Sequence, residues 1–173
     1  MFRAIAALTL ASATANSAAT SLPSSPWWER VTVTISGDGK PQSCRFESSR
    51  RLDGAQTCDV VGDNATVASS SSAKDQYTRI TFERRFKPGG QPVSSELQPG
   101  ETLLGGQVMA LGIDSLGEVK TCKVVAESGS VRPQDGCAQA TAERFEASAA
   151  TSRPEAREGY MTIVVFGHSE HVV

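Results

Sequence analysis

Alternation of apolar and polar residues marks the ordered parts of this chain. Val31, Val33 and Ile35 alternate with Thr32 and Thr34, the period-two pattern of a strand buried on one face. "SGDGK" then supplies turn chemistry, because glycine takes positive φ without steric cost. A second hairpin has the same form: Met109, Leu111 and Ile113 lead into the turn "SLGE". The return strand sets Cys122 and Val124 on one face. The last strand, "YMTIVVFGH", sets Met161, Ile163 and Val165 on one side. Before it, Ala138, Ala142 and Phe145 recur at helical spacing and predict an apolar stripe with Cys137 at its edge. The matching stretch in the first half, "GAQTCDVVGDNATVASSSS", holds Gly62, Asn64 and a serine run. It predicts a shorter helix.

The two halves are copies. At an offset of 78 residues, "VTVTISGDGKPQSCRF" (31–46) falls on "MALGIDSLGEVKTCKV" (109–124), with Gly39 on Gly117 and Cys44 on Cys122. Further on, Tyr77 aligns with Tyr160 and Ile80 with Ile163. Such self-similarity is the signature of a duplicated unit. The expected fold is therefore α+β: two tandem ββαβ units, each a three-stranded antiparallel sheet with one helix. The units run 21–86 and 107–173. The Pro/Gly-rich stretch 87–106 reads as a linker, in which Leu103 and Leu104 can anchor to a surface. Trp27 and Trp28 either pack on the first sheet or form an exposed patch.

Compartment and cysteine chemistry follow from the ends and the composition. Arg3, the apolar run Ala4 to Ala13 and the small-x-small Ala13-Thr14-Ala15 read as a signal peptide over 1–20, which implies export to the periplasm. The run is far short of the roughly 20 residues that span a bilayer. Net charge is −2 with acids and bases mixed, which argues against a nucleic-acid surface or a polybasic membrane patch. Four cysteines in an exported chain favour disulfides and allow three connectivities. The repeat selects Cys44 with Cys58 and Cys122 with Cys137, each stapling helix to sheet within one copy. No C-x-x-C spacing points to redox or metal chemistry.

The second copy resembles the C-terminal domain of TonB-type periplasmic energy transducers. The residues that carry the likeness are Ile113-Asp114, Gly117, Val119, Cys122, Val124, Ser128-Gly129, Arg144-Phe145 and Met161 to Phe166. It covers about 109–166, and more faintly 31–82. "RFEAS" lacks the family's proline, and neither a membrane-anchoring helix nor a long Pro-rich span is evident. The resemblance implies β-augmentation, in which a short extended segment of an outer-membrane receptor pairs with an edge strand. By position, the implied partner-binding edges carry Tyr160, Thr162, Val164 and Phe166 in copy two, and Tyr77, Arg79 and Thr81 in copy one. The alternative is that these edges pair with each other or with a second molecule, since an open edge invites aggregation.

Catalytic chemistry is not legible. No G-x-S-x-G, P-loop, dinucleotide fingerprint or H-E-x-x-H occurs, and no cofactor is implied. His168 and His171, with Glu170, lie in the last residues and lack the rigid surroundings of a metal site. Asp135 and Glu143 read as solvating charges. The sequence thus points to an exported, non-enzymatic module that binds an extended peptide or protein strand, linked to outer-membrane receptor transport. The other reading is a structural or inhibitor-like scaffold whose two units pair together.

Overall fold

The alternation that reaches Ile35 begins as early as Trp27, and the strand it forms is one of six in a single sheet. This architecture comes from a computed structural model, which describes residues 21–50, 58, 77–92, 97–131, 133, 136–147 and 157–169. The elements are β1 (Trp27–Ile35), β2 (Pro41–Ser48), β3 (Arg79–Pro88), β4 (Glu101–Ile113), β5 (Val119–Gly129), α1 (Gly136–Ala142) and β6 (Arg157–His168). Their order across the sheet is β2-β1-β3-β6-β4-β5, and every pairing is antiparallel. The expectation of two separate ββαβ units, each with a three-stranded sheet and a helix, is therefore corrected. Among the described residues there is one six-stranded sheet and one short helix. Residues 54–72, where the first copy's helix was expected, lie outside the described residues apart from Cys58, as does the expected signal peptide 1–20.

The duplication survives inside this sheet at the level of register. Val31 faces Phe46 and Val33 faces Cys44 in the first hairpin; Met109 faces Val124 and Leu111 faces Cys122 in the second, all at the same offset of 78. Each hairpin carries an irregularity at the equivalent place, Thr34/Ile35 and Gly112/Ile113. The turns match bond for bond. Ser36 N–H donates to Lys40 O at 2.8 Å and Asp114 N–H to Glu118 O at 2.9 Å. Gly39 N–H donates to Ser36 O and Gly117 N–H to Asp114 O, and both glycines have positive φ near 80°. The third strands correspond at an offset of 79, with Phe82 equivalent to Met161, where Tyr77 had been set on Tyr160. That four-residue error is even, so it left every side chain on the correct face. Arg84 pairs with Ile163, its own equivalent, so a pseudo-twofold axis passes through the sheet there.

Both apolar clusters lie on one face, crossed by α1. The larger gathers Met109, Leu111, Ile113, Val119, Met161, Phe145 and Leu22, together with Trp27 and Phe86 from the first half. The smaller is Ile35, Ile80 and Val165, with Val33, Phe82 and Leu104 against it. An aromatic chain ties the halves: Trp27 stacks on Phe86 at 6.1 Å between centroids, and Phe86 meets Phe145 at 4.6 Å.

Three local expectations are corrected. The helix spans only seven residues and buries Gly136 and Ala140, while Ala138 and Ala142 are exposed. The Cys122–Cys137 bond pins that side of the helix to β5, and Gly136 sits against Gln107 and Met109 where a Cβ would collide. Phe145 reaches the core from beyond the helix end. Its N–H donates to Gly117 O at 2.7 Å, and it bridges in parallel to Leu22. The linker shrinks as well, because β3 runs to Pro88 and β4 starts at Glu101. Leu104 joins the smaller cluster, while Leu103 stays partly exposed.

Candidate binding surfaces

The strands expected to offer open edges lie at the centre of the sheet. β3 and β6 pair along their whole length, from Arg79 opposite His168 to Pro88 opposite Gly159. β1 flanks β3 and β4 flanks β6 on the other sides. The edges implied at Tyr160, Thr162, Val164 and Phe166, and at Arg79 and Thr81, are thus corrected. The physical reason is that two open edges of matching length satisfy each other's backbone groups most simply by pairing. These six residues all project to the face away from α1. Thr162, Val164 and Phe166 are buried there. Tyr77 precedes β3, and its ring packs over Gly167 on the core face.

Among the described residues, two edges remain, β2 and β5. β5 is the longer at 11 residues, and all positions from Val125 to Gly129 are exposed. Val125, 48% exposed, is the extra residue of an irregularity between Val108/Ala126 and Met109/Val124. β2 has eight residues and begins at Pro41. The structure brings the cysteines together as Cys44–Cys58 and Cys122–Cys137, with Cα separations of 5.9 and 5.6 Å. Two such bonds fit an oxidising extracellular or periplasmic environment. Among the described residues, no helix is long and apolar enough to cross a membrane.

The tryptophan pair divides between the two faces of the sheet, Trp27 buried and Trp28 half-buried. Period-two alternation sends adjacent residues to opposite faces. Trp27 is buried on the core face, with the guanidinium carbons of Arg50 and Arg84 each 5.1 Å from its ring. Trp28 lies on the other face and lines a groove of about 460 Å³ with Pro26, Trp27, Ser49, Arg85, Phe86, Lys87, Tyr160 and Thr162. Arg30 stacks over the Trp28 ring at 5.5 Å.

Charges are disposed differently on the two faces. On the groove side, Glu83 is almost wholly buried at 1% exposure. Its Oε2 accepts from Arg30 Nη2 at 2.6 Å and Nε at 3.0 Å, and its Oε1 accepts from Arg85 Nε. One carboxylate is thereby surrounded by two guanidinium groups. On the core side, Glu29 bridges Arg50 and Arg84, and Arg84 also reaches Glu143 on the segment after α1. Burial first, and Arg84 second, lower Arg50 from an arginine's ordinary pKa. Glu143, expected to solvate, is thus half-buried in an ion cluster, and Asp135 lies outside the described residues.

His168 closes β6 with its ring against Gly100, so it belongs to the sheet; Glu170 and His171 lie outside the described residues. Among the described residues, no three His, Cys, Asp or Glu side chains come together as metal ligands. Sequence reading missed Trp28, Arg85, Lys87 and Thr162 as neighbours in one groove. Alternation across Trp27-Trp28 and along "RITFERRFK" carried the signal for their common face, but not the strand order that gathers them. Comparison of the chain with protein-family models, curated proteins and solved structures finds no match.

Proposed function

We propose that this is an exported, non-enzymatic interaction module that takes an extended peptide or protein strand by backbone pairing along β5. The observation that carries the reading is the 11-residue outer strand β5, with every position from Val125 to Gly129 exposed and, among the described residues, β4 as its one strand neighbour. Main-chain pairing supplies affinity in this mode, and alternate side chains of the incoming strand supply selectivity. The charges along β5, Lys120, Lys123 and Glu127, and the irregularity at Val125 limit self-pairing of the edge without closing it. The resemblance of 109–166 to TonB-type transducer C-terminal domains supports a receptor segment as the partner, met at β5 instead of β6. Periplasmic residence through an N-terminal signal belongs to the same proposal.

A second reading has its own support. Pairing of β3 with β6 consumes the inner edges, as a pseudo-symmetric scaffold without a strand partner requires. Titrating the isotopically labelled mature protein with extended peptides, including N-terminal segments of outer-membrane receptors, separates the two. The binding reading expects shifts and new amide protection along Val119–Gly129. Shifts confined elsewhere, or none with any peptide, leave the scaffold reading standing and overturn the first.

A further inference from the structure

The groove at Trp28 is chemically unlike the β5 edge. Its floor is formed by β1, β3 and β6, strands that each have a neighbour on both sides, so it offers a ligand no free main-chain partners. What it offers is side chains: the Trp28 and Tyr160 rings, the Thr162 hydroxyl, and the cations Arg85 and Lys87. Register fixes their layout. Trp28, Arg85 and Thr162 form one row across the sheet, and Lys87 and Tyr160 form the next. Strand spacing and rise put the Trp28 and Tyr160 Cα atoms roughly 12 Å apart, with both cations between them.

The electrostatics of the groove favour an anion. Glu83 is the carboxylate that meets Arg85, and it is buried and already bonded to Arg30 and Arg85. Only Nε of Arg85 is engaged, and Lys87 has no ion-pair partner among the described residues. Glu158 lies one row further out and does not line the groove. The volume is that of an ordinary small-ligand site. Arg30 occupies one face of the Trp28 indole, and the groove lies on the side of Pro26.

We infer that this groove binds an anionic oligosaccharide, one whose sugar rings rest on Trp28 and Tyr160 while a ring carboxylate meets Arg85 and Lys87. The hydroxyl of Thr162 matches the hydroxyl rim of such a ligand, while that of Ser49 is bonded to the Trp28 backbone and holds the groove's wall. A carboxylate between two cations forms the strong, charge-assisted type of hydrogen bond. An extended peptide is disfavoured, because mid-sheet strands cannot pair with it. A polynucleotide is disfavoured by the chain's net charge of −2. The inference does not depend on the β5 edge.

The test titrates the oxidised full chain with oligogalacturonate, with a neutral glucose oligomer of equal length, and with a short oligothymidylate. Trp27 and Trp28 are the only tryptophans, so indole emission reports the site directly. Oligogalacturonate is expected to shift the emission and to bind more weakly as salt rises. The neutral oligomer is expected to bind about tenfold more weakly or worse, the worth of one charge-assisted contact. Lys87→Gln, a change at a half-buried position that leaves β3 pairing intact, is expected to weaken oligogalacturonate by a similar factor at unchanged melting temperature. Trp28→Ala is expected to abolish binding. No response to oligogalacturonate, equal binding of the neutral oligomer, tighter binding of oligothymidylate, or an unaffected Lys87→Gln would overturn the inference.

Discussion

The two halves of the molecule share a hairpin and differ in how its apolar face is covered. In the second half α1 and the Phe145 segment close over β4 and β5, and Met109, Leu111 and Ile113 are fully buried. In the first half the equivalent Val31 and Val33 are only half-buried. The first half makes up part of the difference by lending Trp27 and Phe86 to the cluster of the second. Identical register therefore does not make identical domains. Here it makes one core, reached from both sides of the β3–β6 seam.

The largest test of that comparison is Phe86→Ala. Phe86 stands in the first half but packs between Trp27 and Phe145, so its loss is expected to cost about 3–5 kcal/mol. Thermal unfolding should remain a single transition at lower temperature; a selective melting of one half would separate what the shared core joins. Next come the two cross-links. Removing Cys122–Cys137 or Cys44–Cys58 by paired serine replacement should cost roughly 3 kcal/mol in either case, because the loops are of nearly equal length. Denaturant melts of the two variants check this. A cost confined to one of them would show that packing, not chain entropy, sets its worth.

The equivalent glycines sharpen the contrast at smaller cost. Gly39→Ala meets only the backbone penalty of a positive φ, about 1–2 kcal/mol, since no atom lies within 4 Å of its new Cβ. Gly117→Ala meets the same penalty plus the Phe145 carbonyl oxygen at 1.8 Å, and should be clearly worse by denaturant titration. Equal losses would mean that Phe145 is not seated on the turn. The smallest effect concerns pH. The amides of Glu118 and, secondarily, Leu116 donate to Asp114, and with Lys120 nearby they hold its carboxyl below the ordinary carboxylate range. A lowered folded-state pKa contributes stability that is present above the ordinary value and lost as pH falls through the lowered one. Asp114→Asn should flatten that acid limb of the melting curve.

Legibility in the sequence followed the range of the interaction. Strand identity, the turns at Gly39 and Gly117 and the cysteine partners rest on neighbours within about fifteen residues, where alternation and spacing speak directly. The order of strands does not, because a period of two names a strand's faces and not its neighbours. Nothing local in "RITFERRFK" or "YMTIVVFGH" says that they pair. The helix stripe failed for a related reason: seven residues are too few for periodicity to outweigh a disulfide that fixes rotation. The Trp28 groove combines both cases, since its facing residues were readable and their convergence on three strands was not.

Native-state amide exchange by NMR tests the continuous sheet most directly. The expected result is that amides throughout β3 and β6 exchange only with global unfolding, while alternate amides along β5 exchange quickly. Rapid exchange at every second residue of β3 and β6 would mean that these strands are open edges, and would contradict the β3–β6 seam on which the placement of both binding surfaces rests.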